Sequence, residues 1–64
     1  MSKDFRSSAE LFEIINNHFE DLKTNHNENI EKGNKAAAGR ARKAIGEIRK
    51  LVTEYRKASI EENR

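Results

Sequence analysis

Three Arg-Lys pairs, Arg42-Lys43, Arg49-Lys50 and Arg56-Lys57, recur at seven-residue intervals in a chain of 64 residues. A seven-residue beat keeps each row on one side of a helix. The chemistry open to such rows is neutralisation of a polyanion, with the planar guanidinium able to grip two phosphate oxygens at once. The arginines are the more telling row. None of the three has an acidic residue three or four positions away, whereas Lys43, Lys50 and Lys57 each have a Glu four residues on. Helical ion pairs of that kind contribute only a few tenths of a kcal/mol each. With Lys35 and Arg40 included, residues 35–57 carry eight cations against two Glu. Gly39, Gly46 and Thr53 share the same seven-residue spacing. On a helical wheel they fall between the arginine and lysine rows, forming a shallow channel with a cationic wall on either side. The expectation is that Lys35, Arg40, Arg42, Lys43, Arg49, Lys50, Arg56 and Lys57 contact the phosphates of a nucleic acid. Few Asn or Gln stand among them to read base edges, so binding is expected without sequence preference. The competing reading is a solvated helix face.

Other chemistries find little support. His18 and His26 are eight residues apart, and neither has a ligand-type residue at the four-residue spacing of a helical metal site, so no metal is expected. Gly33-Asn34-Lys35 is too short for a phosphate-binding loop and follows a helix instead of a strand. Ser7, Ser8 and Ser59 lack an accompanying His-acid set. Tyr55 reads as a core aromatic with its hydroxyl at the edge. No catalytic residue, cofactor or small-molecule substrate is expected, and the chain does not read as an enzyme.

Composition bounds the rest. Cysteine is absent, which removes disulfides and thiolate metal sites, and proline is absent too. The start, MSKDFRSS, is polar and leads into no long apolar run, so neither a secretory signal nor a membrane span is expected and the chain reads as cytoplasmic. Charge is divided unevenly. Residues 1–32 hold four Lys/Arg against seven Asp/Glu, and residues 33–64 hold nine against four. Such asymmetry points to nucleic acid or an acidic partner, unless the halves neutralise each other.

The elements that must carry the cation rows are two helices in one unit spanning residues 1–64. Ser7-Ser8-Ala9-Glu10 has the spacing of a capping box, which starts helix one at about residue 8. A start near Ser2 is the alternative, because Phe5, Phe12 and Phe19 keep seven-residue spacing. The first helix runs to about residue 32, Gly33 supplies a left-handed stop and Asn34 caps a second helix over about 35–61. The apolar stripe of helix one is Phe12, Ile15, Phe19 and Leu22, continued by His26 and Asn29; that of helix two is Ala38, Ala41, Ile45, Ile48, Val52 and Tyr55. Both alternate steps of three and four, the a/d pattern of a coiled coil. Folding back at Gly33 pairs Phe12 with Tyr55, Ile15 with Val52, Phe19 with Ile48 and Leu22 with Ile45. The fold class expected is all-α, an antiparallel two-helix hairpin. Leu11, Ile14, Ala44, Leu51 and Ala58 would then lie along one flank. Covering that flank with a second copy predicts a homodimer, most simply a four-helix bundle.

The run EKGNKAAAGRARKAIGEIRKLVTEYRKASI, residues 31–60, resembles the N-terminal part of the chlamydial histone-like proteins, a family likened to eukaryotic linker histones. The resemblance rests on the turn from Glu31 to Ala38, on Arg40-x-Arg42, and on the ending Tyr55-Arg56-Lys57-x-Ser59-Ile60. It implies DNA binding and nucleoid compaction in bacteria, without catalysis; members of that family continue into a long Lys/Ala-rich tail. A protein–protein assembly module remains the rival reading, and the acidic first helix with its polar stretch NHNENIE suits it.

Overall fold

A computed structural model describes residues 6–64. The alternative start near Ser2 lies outside the described residues. Helix α1 spans Ser8–Lys32 and helix α2 spans Lys35–Glu62, and they pack as an antiparallel hairpin in a rod of 47 × 16 × 13 Å. Local chemistry sets both ends of α1. The Ser7 hydroxyl accepts a hydrogen bond from the Glu10 amide (3.2 Å), which satisfies a first-turn N–H that has no partner within the helix. At the far end Gly33 turns left-handed, with φ 65° and ψ 25°, and donates its amide to the Asn29 carbonyl. A Cβ is strained at that φ, so glycine is the residue that fits. Asn34 follows at once, and its side-chain oxygen accepts from the amides of Ala36 and Ala37.

The seam between the helices differs from the expected one by a rotation of both helices. Leu11, Ala44, Leu51 and Ala58, expected on an outer flank, are 0–8% exposed and line the inside of the hairpin, with Ile14 packed against them. Phe12, Phe19, Ile45 and Val52, expected at the centre of the seam, are 60%, 50%, 52% and 42% exposed. The column holding Ile15, Leu22, Ile48 and Tyr55 is half-buried and belongs to both arrangements. Three apolar columns run along each helix, and the hairpin closes on g and d where a and d were expected. Size decides between them. On α2 the g column is Ala37, Ala44, Leu51 and Ala58, so small side chains let the backbones approach. The a/d arrangement would set Phe12 against Tyr55 and Phe19 against Ile48, holding the helices apart.

The seam is uneven along its length. Near the open end Leu11, Leu51 and Ala58 form the buried cluster, with Ile14, Ile15 and Tyr55 against it. Towards the turn Ala37, Ala41 and Ala44 take over, and α1 offers the polar Asn25 and Asn29. Each of these asparagines is used. The Asn25 side-chain oxygen accepts from Arg40 at 2.7 Å, and the Asn29 side-chain nitrogen donates to the Asn34 carbonyl at 3.1 Å. Among the described residues no buried side-chain nitrogen or oxygen lacks a partner.

Two long-range clasps hold the open end. The Arg6 guanidinium makes two 2.8 Å hydrogen bonds to the Glu54 carboxylate. Glu62 accepts from both the amide and the hydroxyl of Ser8, and so caps the start of α1 from the last turn of α2. These contacts hold the Glu54 carboxyl below the usual carboxylate range through the Arg6 hydrogen bonds, and the Glu62 carboxyl below it through those from Ser8. Arg6 is shifted the opposite way, upwards, by the same contact with Glu54. A carboxyl whose folded pKa is depressed stabilises the fold above its unfolded value, about 4.3. That contribution is lost as pH falls through the folded pKa. Thermal melts followed by circular dichroism should therefore show the midpoint falling below about pH 5. In the Glu54→Gln/Glu62→Gln protein the midpoint should start lower at neutral pH and fall less on acidification. An identical acid profile for the two proteins would remove the clasps from the stability of the hairpin.

Candidate nucleic-acid interface

At about 100° per residue the surface of α2 divides into rows. Arg42, Arg49 and Arg56 lie on its outer edge, leaning towards the broad face that carries Phe12 and Ile45. Lys43, Lys50 and Lys57 lean towards the opposite broad face, and Gly39, Gly46 and Thr53 run between the two. All six cations of the Arg-Lys pairs are exposed. Among the described residues, no carboxylate lies within 4.0 Å of Arg42, Arg49 or Arg56. The acidic character of α1 does not reach them: among the described residues its one ion-paired carboxylate, Glu28, meets Arg40 instead.

The other expected contacts differ among themselves. Arg40 crosses the seam, bonding Asn25 and standing 3.7 Å from the Glu28 carboxylate. Lys50 pairs with Glu47 in its own helix at 3.8 Å. Both pairs are well exposed, and such contacts are worth about 0–1 kcal/mol, so a stronger anion could draw either side chain away. Lys43 borders a shallow open depression of about 440 Å³ on the opposite broad face, whose rim also carries Asp21, Arg40 and Glu47. Its mixed charge sets it apart from the arginine edge. Lys35 stands exposed at the first position of α2, where no acidic residue offsets the positive end of the helix.

The channel between the rows has no internal cause. Among the described residues only Gly33 has a positive φ. A Cβ on Gly46 would meet open space, and one on Gly39 would stand 3.9 Å from the Arg42 guanidinium. Neither glycine is needed for packing, yet each costs the helix about 1 kcal/mol relative to alanine. Gly46→Ala should accordingly raise the melting midpoint by roughly 4–8 °C, read by thermal circular dichroism at neutral pH. A lowered midpoint would mean that the glycine serves the fold after all.

The family model described as histone H1-like protein Hc1 matches residues 9–64, all but the first eight residues of the chain. The chain belongs to the Hc1 family of histone H1-like proteins. No curated protein and no solved structure matches it. This is a family of histone-like DNA-binding proteins and not an enzyme family, and membership implies association with the nucleoid. The match extends the likeness seen over residues 31–60 back through all but the first residue of α1. Among the described residues no group of His, Asp and Glu could hold a metal ion, and no helix is long and apolar enough to cross a membrane.

The clasp partners Arg6, Ser8, Glu54 and Glu62 went unnoticed in the sequence. Arg6 and Glu54 are 48 residues apart and Ser8 and Glu62 are 54 apart. No periodic pattern links them, and the only available signal was opposite polarity at the two ends of the chain.

Proposed function

We propose that this Hc1-family hairpin binds duplex DNA without sequence preference and helps to organise the bacterial chromosome, through the arginine and lysine rows of α2. The observation that carries this reading is the arginine row: three exposed guanidinium groups with no carboxylate in reach among the described residues. Structural economy does not call for them. A helix that needed only solubility would do as well with lysine paired to glutamate, as Lys50 is with Glu47. Arg42, Arg49 and Arg56 supply the main phosphate contacts. Lys43, Lys50 and Lys57 line the other side of the glycine channel, and Lys35 and Arg40 extend the cationic surface towards the turn. A second copy of the chain would double the row and bring two DNA segments to one particle.

Binding of this kind proceeds by release of counterions, so the logarithm of affinity falls with the logarithm of salt by about 0.9 per phosphate contact. Anisotropy of a labelled random duplex across a salt series tests it. Three arginine contacts alone require a slope of roughly −2.7, and the lysines steepen it. An affinity flat across the series, or none at low salt, would leave the protein–protein module as the better reading.

A further inference from the structure

Thr53 stands exposed on α2, in the row between the arginines and the lysines. Residues three and four apart on a helix are surface neighbours, with Cβ atoms about 5–6 Å from one another. All four neighbours of Thr53 by that count are cations: Arg49 and Lys50 before it, Arg56 and Lys57 after it. No other hydroxyl among the described residues is placed like this. Ser7 and Ser8 are engaged at the start of α1, and Tyr55 and Ser59 are half-buried. Thr24, the other exposed threonine, has Glu20, Asp21, Asn27 and Glu28 at the same offsets. We propose that Thr53 accepts a phosphoryl group from a nucleoside triphosphate, through a serine/threonine kinase selective for basic sequences. The four surrounding cations then hold this internal phosphate and lose their grip on DNA. The release from DNA rests on the proposed function; the phosphate site does not.

In the transfer the Thr53 Oγ1 attacks the γ-phosphorus of the nucleotide. The new O–P bond forms as the bond from that phosphorus to the β-phosphate oxygen breaks, the hydroxyl proton passes to a kinase carboxylate, and a nucleoside diphosphate leaves. The local sequence Arg49-Lys50-Leu51-Val52-Thr53 suits a kinase with an acidic substrate groove, since both cations precede the acceptor by three or four residues. Thr24 would meet the same groove with like charge. Because such a groove takes extended chain, the last turns of α2 must open for the transfer. The hairpin permits this: its core is thin, with Leu11 the one large side chain fully buried among the described residues.

Once α2 re-forms, the phosphate brings a charge of about −1.5 to −2 at pH 7 and three acceptor oxygens to the row. It has room to settle against either cationic wall, because a Cβ on Gly46, one heptad earlier, would meet open space. Arg49 and Arg56 can each give two N–H groups to its oxygens, and among the described residues neither has a carboxylate within 4.0 Å to compete. Lys57 is equally unpaired among the described residues, and Lys50 has only its exposed 3.8 Å contact with Glu47 to give up. Glu54, next in sequence, would repel the phosphate least while Arg6 holds its carboxylate through two 2.8 Å hydrogen bonds. The phosphate thus takes the place of one on DNA. Removing about two cations from DNA contact lowers affinity about 60-fold at roughly 0.1 M salt and makes the salt slope shallower by about 1.8.

The full chain is short enough for total synthesis, so phosphothreonine can be placed at position 53 or, as a control, at position 24. In a phosphorus NMR titration without DNA, the second pKa of the phosphate, ordinarily about 6, should lie lower at position 53 than at position 24. Cations favour the dianion at the first site and carboxylates oppose it at the second. For the same reason the chain phosphorylated at 53 should melt above the one phosphorylated at 24. Anisotropy with a labelled random duplex should show the loss of about 60-fold at position 53 and nearly none at position 24. A kinase selective for basic sequences, given ATP, should label the wild type within the tryptic peptide 51–56 and leave Thr53→Val unlabelled there. Equal phosphate pKa values at the two positions would overturn the phosphate site. Equal losses of DNA affinity would reduce the effect to bulk charge and overturn the release, and labelling that spares Thr53 would overturn its role as acceptor. An unmodified chain that fails to bind DNA at low salt would instead sink the proposed function, with the titration still deciding the phosphate site.

Discussion

Replacing Arg42, Arg49 and Arg56 together with glutamine is expected to weaken binding of duplex DNA about 500-fold at roughly 0.1 M salt. The figure follows from counterion release at about 0.9 logarithmic units per contact, with one phosphate per arginine. The salt slope should become shallower by about 2.7 in the same experiment. Glutamine suits the test because its helix propensity is close to that of arginine and it keeps most of the aliphatic stem. No ion pair with a described residue is broken, since none of the three arginines has one within 4.0 Å. The triple variant should therefore retain wild-type helicity, so that any loss of affinity belongs to the charges. The single variants should each lose about eightfold, roughly equally, because the row lies along a uniform edge. Equal affinity of wild type and triple variant would reduce the row to a solvated surface. The nucleic-acid reading would then stand on family membership.

Leu11→Ala should be the most damaging single change to the fold. Leu11 is fully buried and sits with Leu51 and Ala58 at the centre of the open-end cluster. Truncating a buried leucine costs about 2–5 kcal/mol, part transfer and part unfilled cavity. That is comparable with the whole stability such a small core can supply, so the variant is expected to be largely unfolded at 25 °C by circular dichroism. Ile30→Ala makes the comparison. Ile30 is 67% exposed near the turn, and its loss should shift stability by no more than about 0.5 kcal/mol. Similar melting midpoints for the two variants would mean that the cluster at the open end does not hold the helices together.

The hairpin itself was legible in the sequence because its signals are local. Gly33 is the residue that accepts a left-handed turn without strain, Asn34 can cap the helix that follows, and Ser7 stands three residues before Glu10. Each acts over a few residues and needs no knowledge of the rest of the chain. The arginine row was legible for the same reason: acidic neighbours three and four residues away can be counted directly. The seam was not. Leu11 and Phe12 are adjacent apolar residues, and so are Leu51 and Val52; periodicity alone cannot say which of each pair turns inwards. Arg40 shows the same limit on the functional side. Its sequence neighbours leave it as free as Arg42, but the hairpin brings Asn25 and Glu28 to it.

Sequence alone thus determined two helices, the sharp reversal between them and a strip of cations that no nearby residue neutralises, because helix propensity, capping and short-range charge pairing all act within a turn or two. Tertiary structure decided which apolar columns meet. Alanines at 37, 44 and 58 let the backbones close on the g and d columns, and the larger Phe12, Phe19, Ile45 and Val52 were left on the outside. It also decided that Arg6 and Ser8 would be held by Glu54 and Glu62. Such pairings depend on where an antiparallel partner places its side chains in space, and one-dimensional spacing holds no record of that distance.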